Sequence, residues 1–74
     1  MTERASILTI YTAPDCFYSA LLKDDLRRAG KPYREIDVTL DPGAGEELVR
    51  LAGELVTPVV VEGGLVTIGY SGGC

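Results

Sequence analysis

The alternation of short β-branched runs with helix-like stretches constrains the fold of this chain more than any other feature. Short β-branched and apolar runs predict strands, and Gly63-Gly64 between the last two is a strong hairpin signal. The strand-like runs are residues 7–12, 33–38, 59–61 and 65–68. Their order predicts a β-α-β-α-β-β chain of the α/β class with a four-stranded mixed sheet. The first βαβ unit should be parallel and right-handed, with helices on both faces of the sheet.

Two stretches between the strands have the apolar spacing of amphipathic helices. Asp15 is expected to cap the first helix and Gly30 to end it, while Asp41-Pro42 opens the second and Gly53 ends it. The apolar stripes are Tyr18, Leu22, Leu26 and Ala29 in the first helix, and Leu48, Leu51, Ala52 and Leu55 in the second.

Length and composition indicate one small domain, residues 1–74, with a flexible glycine-rich tail at 70–74. The 74 residues carry a net charge of −4 and no basic run, which argues against nucleic acid and anionic membranes as partners. No signal-peptide pattern and no apolar run of spanning length is present, so the chain is expected to be cytoplasmic. In a reducing compartment its two cysteines are expected to be reactive rather than structural.

Cys16 lies where the first strand gives way to the first helix. A thiol there is close to unpaired backbone N–H groups and to the positive end of the helix dipole. Both favour the thiolate, which is the reactive form of cysteine. The sequence has no histidine, so no Cys–His pair is available.

Three motifs follow one another along the chain: Cys16-Phe17-Tyr18-Ser19, Val56-Thr57-Pro58 and a hairpin ending in Gly69. Together with the order of the elements, they resemble the glutaredoxin branch of the thioredoxin fold, over residues 7 to about 70. Glutaredoxins usually read Cys-Pro-Tyr-Cys, and here Phe17 and Ser19 replace the proline and the second cysteine. The final helix of that family is missing. The short chain and its Gly-Gly-Cys ending also look like the Uxx-star group, in which some members have selenocysteine at the position of Cys16.

The resemblance implies a thiol–disulfide oxidoreductase in which Cys16 attacks disulfides or glutathionylated thiols. Its partners would be glutathione and protein thiols, with glutathione as co-substrate and no tightly bound cofactor. Pro58 would be a cis-proline facing Cys16. Ser19 either donates a hydrogen bond to the thiolate or is an ordinary helix residue. The implied substrate-binding residues are Phe17, Tyr18, Val56, Thr57, Pro58, Gly69, Tyr70 and Ser71.

Two departures from the family pattern are expected to weaken glutathione binding. Ala13 stands where many glutaredoxins have a lysine, and the stretch after the last strand, from Gly69 to Gly72, lacks the usual acidic residues. A charged contact is worth about 1.5–3 kcal/mol. Weaker glutathione binding, or another thiol partner, is therefore expected.

Cys74 is the second cysteine, and the predicted topology returns the last strand to the end of the sheet that holds Cys16. Five tail residues span up to about 17 Å. Cys74 is thus a candidate resolving thiol that attacks a mixed disulfide on Cys16. The alternatives are a disulfide between two chains and a spare tail thiol.

Other functions stay open beside the oxidoreductase. One is a non-catalytic carrier of a thiol, a metal or an iron–sulfur cluster, although Phe17 would crowd a bridging cluster. Another is a small interaction subunit that uses the sheet face left open by the missing helix. An open apolar face also predicts self-association as a homodimer.

Overall fold

The computed structural model describes residues 7–69, which form two helices and four strands. The strands build one sheet in the order β2-β1-β3-β4. β1 pairs with β2 in parallel, and both other pairs are antiparallel. The predicted element order and the mixed four-stranded sheet are confirmed. The elements are β1 (Leu8–Thr12), α1 (Phe17–Arg28), β2 (Tyr33–Asp37), α2 (Ala44–Ala52), β3 (Val59–Glu62) and β4 (Leu65–Ile68).

Two small apolar cores lie on opposite faces of this sheet, because successive strand side chains point to opposite sides. On one face Leu8 and Ile10 of β1 pack with Leu22 and Leu26 of α1. On the other face Tyr11, Leu48 and Val59 form the core beneath α2. The central strand β1 contributes to both cores, so the two helices cover opposite faces as predicted. Neither helix within residues 7–69 is long and apolar enough to cross a membrane.

Helix α1 starts one residue later than the sequence suggested. The N-cap is Cys16 rather than Asp15, and the Cys16 carbonyl accepts the amides of Ser19 at 3.1 Å and Ala20 at 3.4 Å. The buried face of the helix runs through Ser19, Leu22 and Leu26. Tyr18 is only half-buried and Ala29 is exposed, so the predicted stripe was wrong at both ends. Apolar periodicity missed Ser19 because serine is polar.

Helix α2 begins at Ala44, after a turn that the sequence had assigned to the helix itself. The Asp41 carboxylate accepts the Gly43 amide at 3.0 Å, and Gly43 is the N-cap. The helix ends at Gly53 as predicted, with a left-handed φ of 88° that suits glycine. Leu55 therefore lies beyond the helix and is 65% exposed, instead of joining the core.

The topology brings four chain segments to one end of the sheet. β1 and β2 are parallel, so both end there, and the Val38 amide donates to the Thr12 carbonyl at 2.9 Å. β3 is antiparallel to β1 and therefore starts there, just after Pro58. β4 ends beside it, where the Gly69 amide donates to the Pro58 carbonyl at 2.8 Å. This end of the sheet is called the site end below.

Candidate active site

Cys16 is held at the site end by the short loop that follows β1. Its amide donates to the Ala13 carbonyl at 3.1 Å, and its own backbone is extended, with φ −98° and ψ 107°. The Sγ atom lies 3.6 Å from the carbonyl oxygen of Thr57, which is 41 residues away in sequence. Cys16 is buried and is not a free thiol in this structure. The reactive thiolate exists only in the reduced form of Cys16.

The start of α1 provides a positive electrostatic environment for this sulfur. The first amides of a helix, here those of Phe17 and Tyr18, have no acceptor within the helix. The first turn of α1 contains no acidic residue, and Arg27 and Arg28 lie at the opposite end. The exposed Asp15 is the carboxylate next to the sulfur in sequence. The helix dipole therefore acts on Cys16 without a first-turn carboxylate to cancel it.

Ser19 is buried one helical turn from Cys16. It is 1% exposed, and its hydroxyl has no hydrogen-bond partner within residues 7–69. Burial argues against a hydroxyl satisfied by solvent, and no described residue provides a backbone acceptor, while the role of Ser19 toward the thiolate stays a prediction. A buried hydroxyl without a partner costs about 1–3 kcal/mol. A new acceptor close to the helix start would remove that cost.

The segment before β3 faces Cys16 as the family resemblance implied. The Thr57–Pro58 peptide bond is cis, and Pro58 is buried. Val56 is half-buried against the core beneath α2. Gly69 has a left-handed φ of 83° and is joined to Pro58 by its amide hydrogen bond.

Two aromatic side chains follow Cys16 and differ in exposure. Phe17 is 69% exposed and Tyr18 is half-buried, and their rings meet edge to face with centroids 5.4 Å apart. The structure thus groups residues 16–19 with Thr57, Pro58 and Gly69 at the site end. The remaining predicted site residues, Tyr70, Ser71 and Cys74, lie outside the described residues.

A polar network that sequence reasoning missed supports the end of β1. The buried Thr12 hydroxyl donates to the Glu35 carboxylate at 2.7 Å, and Lys23 of α1 binds the same oxygen at 2.8 Å. The hydrogen bond from Lys23 lowers the pKa of Glu35 against the opposing effect of burial. Strand alternation marked β2 as half-exposed, but it gave no signal for a link among β1, β2 and α1. The network fixes the strand from which the loop to Cys16 departs.

Within residues 7–69, no three or more Cys, Asp or Glu side chains are grouped so that they could hold a metal ion. The described site consists of a sulfur atom at a helix N-terminus, with a backbone carbonyl 3.6 Å away and a buried hydroxyl one helical turn away.

The sheet order, the cysteine at the N-cap of α1 and the cis-proline that precedes β3 are those of a thioredoxin-fold protein. Comparison with solved structures supports this class. The glutaredoxin grx-1 of Archaeoglobus fulgidus superposes with a TM-score of 0.80 at 21% identity, over 89% of this chain and 77% of its own. The thioredoxin-like protein BC3987 gives a TM-score of 0.79 at 33% identity, over 86% of this chain and 88% of its own.

The particular family follows from the sequence. The family model described as Glutaredoxin matches residues 8–66, and the chain belongs to the glutaredoxin family. The glutaredoxin of Brucella melitensis is 32% identical, with a TM-score of 0.69, over 85% of this chain and 68% of its own. No curated protein sequence matches significantly.

Proposed function

We propose that this glutaredoxin-family protein is a thiol–disulfide oxidoreductase with Cys16 as its nucleophile. The observation that carries the proposal is the position of the Cys16 sulfur, at the N-cap of α1 and 3.6 Å from the Thr57 carbonyl oxygen. The helix end stabilises negative charge on the sulfur. We expect the chain next to a substrate disulfide to pass along the Thr57 backbone, because that backbone is close to the sulfur.

The first step is attack by the Cys16 thiolate on one sulfur of a disulfide or of a glutathionylated cysteine. The Cys16–substrate S–S bond forms while the substrate S–S bond breaks. The second substrate sulfur leaves with the electron pair and takes a proton from water. The electron count is unchanged, because a disulfide and a thiolate are exchanged for a new disulfide and a new thiolate.

Turnover needs a second thiol, because Ser19 cannot resolve the mixed disulfide. In this step a second thiolate attacks the Cys16 sulfur, releases the substrate as a thiol and forms a disulfide with Cys16. An external thiol such as glutathione must afterwards reduce the disulfide that Cys16 forms in this step, so two thiols together supply two electrons. Glutathione and Cys74 are the two candidates for the attacking thiol. The loss of the lysine at Ala13 favours a donor other than glutathione, and Cys74 as resolving thiol stays a prediction.

The test of this function is the release of both thiols from a small mixed disulfide by reduced wild type, Cys16→Ser and Cys74→Ser, in a single turnover without glutathione and in repeated turnover with it. Wild type is expected to be active and Cys16→Ser inactive. Slower turnover by Cys74→Ser, restored by excess glutathione, identifies Cys74 as the resolving thiol. Activity retained by Cys16→Ser would refute the proposed function, and an unchanged rate in Cys74→Ser without glutathione would refute the role of Cys74 alone.

A further inference from the structure

We propose that an apolar cavity beside Leu55 binds a side chain of the polypeptide whose disulfide Cys16 attacks. This inference rests on the proposed function and specifies its substrate as an extended protein segment with an apolar residue two positions from the reacting cysteine. The cavity measures about 460 Å³ and lies between α2 and the segment that leads to β3. Its lining residues are Gly45, Glu46, Val49, Arg50 and Leu55.

The exposure of its walls shows that the cavity is open to a partner. Leu55 is 65% exposed, and Val49 is exposed next to it. An apolar side chain that binds in the cavity removes this apolar surface from water, which is favourable.

The backbone beside the cavity has the free hydrogen-bonding groups that an extended peptide needs. Leu55, Val56 and Thr57 lie outside every strand and helix. Within residues 7–69 their amides make no backbone hydrogen bond. An incoming peptide can therefore pair with this segment as an added strand. The Thr57 carbonyl at the end of the segment lies 3.6 Å from the Cys16 sulfur, so the added strand leads directly to the reacting atom.

Strand geometry then sets the spacing between the reacting sulfur and the cavity. A strand rises about 3.3 Å per residue, and its alternate side chains share a face. A substrate cysteine opposite Thr57 places the residue two positions away opposite Leu55, about 7 Å along. The side chain of that residue is the one that reaches the cavity.

Charge at the cavity favours an apolar side chain over the carboxylates of glutathione. Glu46 at the rim repels an anion, and the guanidinium of Arg50 is already paired with Glu47. The same walls suit leucine-sized groups. The cavity therefore favours protein substrates over glutathione.

Two synthetic peptides test the proposal, each with one cysteine in a mixed disulfide and either leucine or serine two positions away on both sides. Wild type should turn over the leucine peptide about tenfold faster than the serine peptide, within the range expected for burying such a side chain. Leu55→Ser should remove this preference and leave turnover of a small disulfide unchanged. Leu65→Ser is the matched control, because Leu65 is 67% exposed at the opposite end of β4 and should change neither rate.

Binding of the reduced, unmodified peptides to the Cys16→Ser protein separates this inference from the proposed function. Tighter binding of the leucine peptide, by about tenfold, supports the cavity even where turnover fails. Equal binding of both peptides overturns it. A preference that survives Leu55→Ser, or an equal loss of activity on the small disulfide, also overturns it. A concentration-dependent mass that Leu55→Ser abolishes would assign the cavity to a second copy of the chain instead.

Discussion

Ser19 is buried in the first turn of α1, three residues after Cys16, and its hydroxyl makes no hydrogen bond within residues 7–69. We expect the hydroxyl to gain an acceptor when Cys16 is a thiolate, because Cys16 lies one helical turn earlier at the helix start. A hydrogen bond to a charged group contributes about 1.5–3 kcal/mol. Ser19 would then stabilise the reactive form of Cys16 at the expense of the stability of the fold.

Ser19→Ala should separate these two effects. The pKa of Cys16 in the reduced protein is expected to rise by about 1 unit, because one donor to the thiolate is lost. The free energy of unfolding of the oxidised protein should stay equal or increase, since an unpartnered buried hydroxyl is removed. Thiol titration and urea unfolding measure the two quantities. An unchanged thiol pKa together with lower stability would show that Ser19 has only a packing role.

The residues of the site were predictable from sequence where their chemistry has a local cause. Cys16 follows from the strand-to-helix junction, and Pro58 follows from the family motif. The burial of Ser19 was not predictable, since it depends on which face of α1 meets the sheet. The exposure of Leu55 was not predicted, because the apolar spacing of α2 continues to Leu55 although the helix ends at Gly53.

Among the elements, α2 is bounded by two glycines with opposite backbone requirements. The backbone at Gly43 is in the right-handed helical region, with φ −86°. A Cβ atom there would make only an ordinary contact with Asp41 at 3.8 Å. Gly53 has φ 88°, which a residue with a side chain rarely adopts. The helix boundaries therefore give a matched pair of substitutions.

Gly43→Ala should change the stability by less than about 0.5 kcal/mol, because the gain from fewer unfolded conformations is offset by the poor preference for alanine at an N-cap. Gly53→Ala should destabilise the protein by about 1 kcal/mol or more, because of left-handed strain. Urea denaturation of both variants beside wild type measures the difference. Equal effects of the same sign would contradict the assigned ends of α2.

The link among β1, β2 and α1 predicts a pH dependence of stability. The folded pKa of Glu35 lies below its ordinary value of 4.5, chiefly because Lys23 donates to the carboxylate. A lowered folded pKa means that this stabilisation is present above about 4.5 and is lost as the pH falls through the folded value. The free energy of unfolding should therefore decrease at acid pH as Glu35 becomes protonated.

Glu35→Gln is expected to lower the free energy of unfolding at pH 7 by up to about 1 kcal/mol, the range for a partly exposed pair. At pH 3 the difference from wild type should shrink. Glu62→Gln is the control, because Glu62 makes no ion pair within residues 7–69. Urea titrations at both pH values decide, and a constant difference would show that the carboxylate does not act through its charge.

For the whole molecule, the element order and mixed sheet followed from the sequence, because strand and helix periodicities are local and βαβ handedness is nearly fixed. The register of the strands could not be predicted from the sequence, because it depends on which side chains of β1 face each of the two cores. The α1 side of the β3–β4 hairpin includes Leu65, which is 67% exposed. That uncovered surface is the basis for the predicted self-association.

Self-association should appear in sedimentation as a mass that rises with concentration across the micromolar range. Leu65→Lys should weaken it, because a charged side chain on an apolar contact must be desolvated. Val49→Lys, on the other side of the sheet, is the comparison variant. A monomer mass that does not change up to high micromolar concentration would contradict the prediction.

Cys16 is proposed to be a nucleophile whose thiolate is stabilised by the start of α1. The rate of alkylation of Cys16 as a function of pH, in reduced protein with the Cys74→Ser change, tests this proposal most directly. Thiolate stabilisation by the start of α1 predicts a midpoint at least about 1 unit below the ordinary cysteine pKa of about 8.5. A midpoint at or above about 8.5, or no alkylation of the reduced thiol, would contradict it.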